Sequence, residues 1–328
     1  MAFFARPYTL SGTMPLAHAY PFDPAYGMDE AALRAVPAPE GPADFDAFWR
    51  ATRAEAGAVP LRMERRPSSA FGSHPTHAVE EVYFDSLGGL RIGAWLSVPR
   101  GEAVTRAAVV GHGYGGREEP EFLPDAAALA VCVRGFGLSR SEAVPGEALR
   151  HVVHGIESRE RYVIRGCVAD LWAGAAALAE LFPGVPLRYE GCSFGGGLGA
   201  LAVPWELRWE RAFLDVPTFG NHPLRVTLRC EGSGAAVRAR WRREPEVLDV
   251  LAYFDAATAA KRIAVPTLVS PALFDPVVPP PGQFAVANAI PERWKEVYVR
   301  EAGHFDHPGL VEDEKRLGER LRRWRQNG

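Results

Sequence analysis

The chain has 328 residues, of which 47% are hydrophobic and 23% are charged, and these values are ordinary for a globular protein. Its 37 Lys and Arg residues nearly balance its 40 Asp and Glu residues, so the formal net charge at pH 7 is −3. This balance excludes the basic excess that marks a nucleic-acid-binding protein, and we expect no nucleic-acid partner.

The cysteines and the apolar runs narrow the class of protein further. The four cysteines show no C-x-x-C spacing, which argues against a zinc or thioredoxin-type motif and favours reduced, mostly buried thiols. No apolar run approaches the roughly 20 residues that a membrane span needs. Residues 1–15 also lack the pattern of a signal peptide. We therefore expect a cytoplasmic protein with no membrane partner.

Residues 1–60 are predicted to form an N-terminal extension, because prolines punctuate this part of the chain. Within it, a short helix is predicted from Asp44 to about Ala56. Asp44 is the expected N-cap, and Asp46 places an acidic side chain in the first turn.

A pair of strands comes next, over Val79–Phe84 and Leu90–Val98, joined by a turn that carries two glycines. The β-branched run Ala107–Gly111 is typical of a fully buried strand. The alanine-rich run Leu123–Ala130 predicts a short helix, and Val131–Val133 begins another strand.

A longer helix follows, and it is indicated by one apolar stripe. Its members recur at spacings of three and four: Val168, Leu171, Trp172, Ala175, Leu178 and Phe182. Pro183 and Gly184 are expected to end this helix.

Short buried strands then alternate with helices. The predicted strands are Leu187–Tyr189, Ala212–Asp215, Thr267–Ser270 and Glu296–Val299. This alternation predicts an α/β fold with a mostly parallel central sheet and helices on both faces, in a single domain over residues 1–328. Residues 220–262 interrupt the alternation with a helical pattern, and we interpret them as an insertion near the mouth of the site.

The strongest chemical signal is a G-x-S-x-G motif with Ser193 at its centre, flanked by Gly191 and Gly195. It directly follows a predicted strand and directly precedes the helix-compatible stretch Leu198–Val203. This context is typical of the nucleophile turn of the α/β-hydrolase fold. The alternative is a glycine-rich turn that merely contains a serine. A phosphate-binding loop is a weaker alternative, because no G-x-x-x-x-G-K-[ST] pattern occurs.

The expected general base is His304, because hydrolases of this fold order their triad as serine, acid and histidine along the chain. His304 follows the last predicted strand, directly after a glycine. His307 is the close alternative. His222 precedes the candidate acid and therefore breaks the order.

The expected acid is Asp275, which follows the penultimate strand and would orient the imidazole. Asp215 ends an earlier strand and is the alternative. Asp249 and Asp255 lie in the predicted insertion and are interpreted as surface or capping residues.

An oxyanion hole requires two backbone N–H groups. The expected donors are Phe194, directly after the serine, and Tyr114, in a glycine-rich loop that follows an earlier strand. His112 lies in the same loop, and Arg134 follows the next predicted strand. Both are expected to be structural, holding loops through hydrogen bonds. The implied reaction, acyl transfer to water, requires neither a metal nor a cofactor.

Taken together, these stretches resemble the acetyl xylan esterase and cephalosporin-C deacetylase family, carbohydrate esterase family 7. The resemblance spans residues 29–308 and rests on several motifs, which occur in family order: Asp44–Trp49, Gly113–Arg117, Arg134–Gly137, Gly191–Gly196 and Leu273–Pro280. It implies a serine esterase that removes short acyl groups from a small-molecule ester. It also implies a homo-oligomer, often a hexamer in this family.

Three positions depart from the family pattern. Phe136 and Phe194 stand where the family has glutamine, and Phe305 stands where it has glutamate. Phe136 and Phe305 are therefore candidate pocket residues, and we expect a less polar alcohol part than xylan.

Two other functions are open. One is a peptidase of the prolyl-oligopeptidase type, although such enzymes usually carry a large extra domain. The other is a non-catalytic binding protein on a hydrolase fold.

Overall fold

The centre of the molecule is a mixed sheet, seen in a computed structural model that describes residues 16–101 and 103–326. Within these residues the sheet has nine strands in the order β1-β2-β3-β5-β4-β6-β7-β8-β9. The strands are β1 (Glu64–Pro67), β2 (His77–Ser86), β3 (Leu90–Pro99), β4 (Ala107–Gly111), β5 (Ala127–Val131), β6 (Leu187–Cys192), β7 (Trp209–Asp215), β8 (Thr267–Ser270) and β9 (Lys295–Val297). Antiparallel pairs join β1, β2, β3 and β5, and the remaining pairs are parallel. The predicted α/β class is therefore confirmed.

Helices cover this sheet. They are α1 (Glu30–Arg34), α2 (Phe45–Gly57), α3 (Ala148–His151), α4 (Val163–Leu181), α5 (Phe194–Ala202), α6 (His222–Arg225), α7 (Gly232–Arg243), α8 (Val247–Leu251), α9 (Ala256–Ala260), α10 (Pro280–Ala289) and α11 (Leu310–Gln326). No helix of the described residues has the length and apolar character needed to cross a membrane.

The side chains of successive β4 residues pack into separate apolar clusters on the two faces of the sheet. Val109 joins the main core with α4 and α5, whereas Val110 points into a smaller cluster on the opposite face. Further along that sheet, Leu317 and Trp324 of α11 pack against side chains of β7 and β8. Successive strand residues point to opposite faces, so β4 and β5 are apolar throughout because both of their faces are covered.

The prediction of a helix over Leu123–Ala130 is wrong. Residues Ala127–Val131 form β5, which pairs with β3 on one side and β4 on the other. Alanine has the highest intrinsic helix propensity. Tertiary burial overrides that propensity here, since all five strand residues are buried between two neighbouring strands.

The helix predicted from Asp44 is present, and Asp44 occupies its N-cap position as predicted, but the side chain does not cap the helix. Helix α2 begins at Phe45, and the Asp44 side chain makes no capping hydrogen bond. The carboxylate instead accepts hydrogen bonds from Arg159 and from the hydroxyl of Tyr253. The expected side-chain capping hydrogen bond is therefore absent, because long-range partners occupy the same oxygens.

The region predicted as a helical insertion contains α6 to α9. Asp255 accepts a hydrogen bond from the N–H of Thr258 at 2.9 Å and so caps α9, as interpreted from the sequence. The same carboxylate accepts from the N–H of His222 at 2.6 Å. A backbone hydrogen bond of 2.9 Å from Glu231 N–H to Pro276 C=O ties this region to the loop that carries Asp275.

Candidate active site

Ser193 lies at a sharp turn between β6 and α5, with φ 57° and ψ −110°. Such positive φ values are unfavourable for a residue with a Cβ, and strained backbone of this kind concentrates at functional sites. The neighbouring glycines are required by space. A Cβ on Gly191 would lie 2.6 Å from the carbonyl of Gly195, and a Cβ on Gly195 would lie 2.8 Å from the carbonyl carbon of Gly111.

Ser193, His304 and Asp275 form one hydrogen-bonded chain. The distance between Ser193 Oγ and His304 Nε2 is 2.9 Å, and His304 Nδ1 lies 2.8 Å from Asp275 Oδ2. The loop after β9 makes this contact possible, because a Cβ on Gly303 would lie 2.5 Å from Asp275 Oδ2. Since the carboxylate only accepts, His304 carries its proton on Nδ1 and offers the Nε2 lone pair to the serine.

The Asp275 carboxylate is fully buried and is held by four donors. Its Oδ1 accepts from the N–H groups of Val277 and Val278 at 2.8 and 2.9 Å. Its Oδ2 accepts from His304 and, at 2.9 Å, from the Gln283 side-chain amide. Sequence reasoning missed Gln283. The available signal was a polar residue in the mostly apolar helix α10, eight positions after the acid.

The electrostatics of His304 suit a base. Burial by itself lowers the pKa of His304, but the hydrogen bond and the negative charge of Asp275 outweigh burial, so the pKa is raised above its ordinary value. A quarter of the side-chain surface is exposed, so a substrate can approach the ring.

The alternative residues from the sequence have other partners. Asp215 accepts a hydrogen bond from Ser270 at 2.6 Å and pairs with Arg300 at 3.1 Å. His307 is buried, and its Nδ1 lies 3.7 Å from Glu301. His222 is buried in the helical region, where burial, and then the charge of Arg225, lower its pKa to about 3.

The two expected oxyanion donors lie beside the serine. Phe194 is the first residue of α5, so its N–H has no acceptor within the helix. The loop that carries Tyr114 comes close as well, since a Cβ on Gly113 would lie 3.9 Å from Ser193 Cβ. The rings of Tyr114 and Phe194 stack, with centroids 3.9 Å apart and planes 12° apart. This stack connects the two segments that carry the expected N–H donors.

His112 and Arg134 hold loops, as expected from the sequence. His112 Nε2 accepts from the N–H of Val133 at 3.2 Å, so its Nδ1–H donates to the C=O of Gly113 at 2.7 Å. Burial lowers the pKa of His112 to about 4, which keeps it neutral. Arg134 binds the buried Asp170 through two nitrogens at 2.7 and 3.0 Å.

The two candidate pocket residues lie in different surroundings. Phe136 is buried, with its ring 4.8 Å from His151 and 5.3 Å from His112. It therefore lies in the layer beneath Tyr114 instead of on an open wall. Phe305 is half-buried and packs at 4.9 Å against Phe274.

An N-terminal segment, missed by sequence reasoning, borders the same loops. His18 lies 5.4 Å from the Phe274 ring, and Tyr20 lies 6.1 Å from the Phe305 ring. We call these four residues the aromatic rim. Pro24 accepts a hydrogen bond of 3.2 Å from the N–H of Asp275. The rim thus adjoins both the acid and the base.

No group of three or more His, Cys, Asp or Glu side chains suited to holding a metal ion occurs within residues 16–101 and 103–326. The four cysteines are free, and three of them are buried.

Comparison with known proteins points to one family. The family model described as acetyl xylan esterase (AXE1) matches residues 33–320. The structure is similar to acetyl xylan esterase 1 from Thermoanaerobacterium sp. JW/SL YS485, with 26% identity and a TM-score of 0.75 over 90% of this chain and 98% of that one. It is also similar to the acetyl xylan esterase from Paenibacillus sp. R4, with 25% identity and a TM-score of 0.76 over 89% of this chain and 99% of that one.

The acylaminoacyl peptidase of Pyrococcus horikoshii shares the fold at 16% identity, with a TM-score of 0.55. The match covers 78% of this chain but only 41% of the peptidase, so this likeness concerns the fold alone. The family match extends over most of the chain and includes every motif that suggested an esterase. The chain belongs to the acetyl xylan esterase family and is a carboxylic ester hydrolase.

Proposed function

We propose that the protein removes acetyl groups from small-molecule esters, with Ser193 as nucleophile, His304 as general base and Asp275 as the group that orients the base. The observation that carries this proposal is the chain of two hydrogen bonds, 2.9 and 2.8 Å long, that links the three side chains. The same three roles recur in acyl-transfer enzymes on unrelated folds.

The first half of the reaction forms an acyl-enzyme. His304 Nε2 takes the Ser193 proton as Oγ attacks the ester carbonyl carbon, and the carbonyl oxygen becomes an oxyanion. The N–H groups of Phe194 and Tyr114 are the proposed donors to that oxyanion. When the intermediate collapses, the carbon–oxygen bond to the alcohol breaks, and His304 returns its proton to the departing alcohol.

The second half repeats these steps with water. His304 removes a proton from water, which attacks the acyl carbon, and the proton then returns to Ser193 Oγ as the carboxylic acid leaves. Asp275 stabilises the imidazolium that forms in each half, and its four donors hold the carboxylate in place.

The proposed alcohol part is less polar than xylan. Phe305 and Phe274 place apolar surface directly beside His304 and Asp275, and such surface favours an apolar or aromatic alcohol through burial. Acetylated xylan, named in the matched family and in its similar structures, and cephalosporin C, suggested by the sequence resemblance, are the polar comparisons.

The catalytic assignment is tested with Ser193→Ala and 4-nitrophenyl acetate. The variant is expected to lose at least about 10,000-fold in kcat, because the nucleophile is removed. Ser141→Ala, at an exposed position, is the matched control and should keep full activity. Intact-mass and peptide mapping after treatment with an organophosphate should place the label on Ser193. Labelling of another residue, or full activity of Ser193→Ala, would refute the assignment.

The substrate class is tested with a panel of acetyl esters. Aryl and alkyl acetates are expected to show higher kcat/KM than acetylated xylo-oligosaccharides. Phe305→Glu should narrow the difference. A clear preference of the unmodified enzyme for acetylated xylo-oligosaccharides would overturn the proposed alcohol.

We also propose a homo-oligomer in the cytoplasm. The family resemblance supports the assembly, and the free cysteines fit a reducing compartment. Light scattering after size-exclusion chromatography tests the homo-oligomer. The family resemblance predicts a hexamer, and a monomer would contradict the proposal. Fractionation of cells tests the cytoplasmic location.

A further inference from the structure

Arg225 is a buried cation that no carboxylate of the described residues pairs with. It ends the short helix α6 and is 3% exposed. Its Nη2 donates to Thr218 Oγ1 at 3.2 Å, whereas its Nε and Nη1 have no hydrogen-bond partner among the residues that the structure describes. A guanidinium carries five N–H donors, so most of its donor capacity is unused.

Such an arrangement is unusual. Removing a charge from water is costly unless the charge is paired, and a buried polar group without a partner requires an explanation. Three other arginines with little exposed side-chain surface show the ordinary solution. Arg134 is paired with Asp170, Arg188 with Glu190 and Asp125, and Arg300 with Asp215. Arg225 thus stands apart as a cation that lacks its anion.

Arg225 lies next to the nucleophile. Thr218, which accepts its hydrogen bond, donates its own N–H to the C=O of Ser193 at 3.2 Å. The ring of Phe219 lies 5.8 Å from the guanidinium carbon on one side and 6.0 Å from the Phe194 ring on the other. The cation is therefore one residue away from the segment that holds the attacking serine.

The other side of Arg225 faces the loop of the acid. A Cβ on Gly234 would lie 3.0 Å from Arg225 Nη2 and 2.5 Å from Cys230 Sγ. The residue after Cys230 is Glu231, whose N–H is bonded to Pro276, directly after the acid. Arg225 is thus bracketed by the serine segment and the acid loop.

A second unpartnered group belongs to the same neighbourhood. The hydroxyl of Tyr114 is buried and has no hydrogen-bond partner among the described residues. Burial raises the pKa of Tyr114 well above its ordinary value, and the positive charge of Arg225 opposes that rise, so the two groups are within electrostatic reach. An O–H donor and a guanidinium that both lack acceptors form a set suited to an anion.

We propose that Arg225 binds a carboxylate of the substrate, so that the preferred ester is an anion. This inference rests on the proposed function at Ser193 and adds the charge of the substrate to it. The carboxylate belongs to the alcohol part, because the proposed acyl group is acetyl; charge on the acyl part is the alternative that the test distinguishes. Arginine suits this role because its planar fork matches a carboxylate, and burial strengthens the attraction relative to water.

The test compares matched anionic and neutral esters. For charge on the alcohol part, the pair is 4-acetoxybenzoate and 4-acetoxybenzamide. For charge on the acyl part, it is mono(4-nitrophenyl) glutarate and 4-nitrophenyl valerate. In the first pair, kcat/KM of the unmodified enzyme is expected to be at least about tenfold higher for the anion; a preference confined to the second pair would place the charge on the acyl part and contradict the proposal.

Arg225→Gln should lower kcat/KM for the preferred anion about 30-fold, which is about 2 kcal/mol at 1.4 kcal/mol per factor of ten. The neutral ester should change less than about threefold. Arg225→Lys should restore part of the preference, and Arg242→Gln, which removes an exposed arginine of α7, should leave it unchanged. Equal losses on both esters, or no preference for an anion in either pair, would overturn the proposal.

Two further measurements distinguish a failure of the Arg225 subsite from a failure of the proposed reaction at Ser193. Calorimetric titration of the intact enzyme with 4-hydroxybenzoate and with glutarate reports carboxylate binding without turnover, and Arg225→Gln should weaken it. Equal binding by the variant would count against the subsite. Arg225→Met should not lower Tm, because no partner anion is left behind; a large fall would indicate a structural arginine and overturn the inference. If neutral esters are not hydrolysed by a Ser193-dependent reaction, the proposed function itself fails.

Discussion

The imidazole Nε2 of His304 lies 2.9 Å from the hydroxyl oxygen of Ser193, although 111 positions of chain separate the two residues. The contact follows from topology. Strands β6 and β9 belong to the same parallel part of the sheet, so the loops after them open at the same edge. Each residue also has a positive φ, 57° for Ser193 and 44° for His304, so backbone strain and the reacting atoms coincide.

The pH dependence of activity should report His304. Burial lowers the pKa of His304, but Asp275 raises it more, so the pKa lies above the ordinary value of about 6.5. The base must be neutral to accept the serine proton, and kcat/KM should therefore fall as pH falls through that pKa. Asp275→Asn removes the charge that raises the pKa, so the acid limb should move to lower pH while kcat drops roughly 10,000-fold.

The measurement is log kcat/KM for 4-nitrophenyl acetate against pH. An acid limb that stays in place in Asp275→Asn would contradict the assignment of the acid. Because the folded-state pKa of His304 is raised, the His304–Asp275 pair stabilises the fold fully below the ordinary pKa. That contribution is lost as pH rises through the folded-state value.

Gly195→Ala should destabilise the protein. The added Cβ would lie 2.8 Å from the carbonyl carbon of Gly111 and 3.0 Å from the amide nitrogen of His112. We expect the free energy of unfolding to fall by about 3 kcal/mol, measured by urea denaturation. Gly318→Ala is the control, because this glycine lies in α11 with open space around it. There we expect a gain of about 0.5–1 kcal/mol. A neutral Gly195→Ala would show that the turn has room.

Phe194→Gln should separate stability from chemistry. The phenyl ring is fully buried and stacks on Tyr114, so its replacement by an amide should lower the free energy of unfolding by about 3 kcal/mol. The backbone N–H is unchanged, because any residue except proline supplies it. We therefore expect kcat for 4-nitrophenyl acetate to change less than about tenfold.

Phe194→Leu is the companion variant, since it keeps apolar volume but loses the stack. A fall in kcat of more than about 100-fold in a folded Phe194→Gln protein would show that the side chain itself takes part in the reaction.

Asp170→Asn should show that Arg134 is an anchor. The variant leaves the Arg134 guanidinium without its anion, 12% exposed, and breaking a buried pair in this way costs about 3–5 kcal/mol. Chemical denaturation should record that loss, whereas kcat of the folded enzyme at low temperature should stay within about threefold. Glu118→Gln breaks the exposed pair with Arg140 and should change stability by less than about 1 kcal/mol. Equal effects of the two variants would refute the anchor.

Local features of the chain determined much of the fold and of the site. The G-x-S-x-G turn and the apolar stripe of α4 depend on residues within a few positions of each other, and the order of serine, acid and histidine is a property of the linear chain. The steric and periodic requirements of these features can therefore be recognised in the amino-acid sequence alone. The α/β class and the positions of Ser193, Asp275 and His304 relative to the strands followed from such features.

Other features were decided only when distant segments met. Residues Ala127–Val131 became a strand because neighbours on both sides of the sheet paired with it. The Asp44 carboxylate accepts hydrogen bonds from residues more than 100 positions away instead of capping α2. The roles of Gln283 and Arg225 depend on the residues that the fold places around their side chains. Burial, pairing and the lack of a partner depend on all three dimensions, and so only the tertiary structure assigned them.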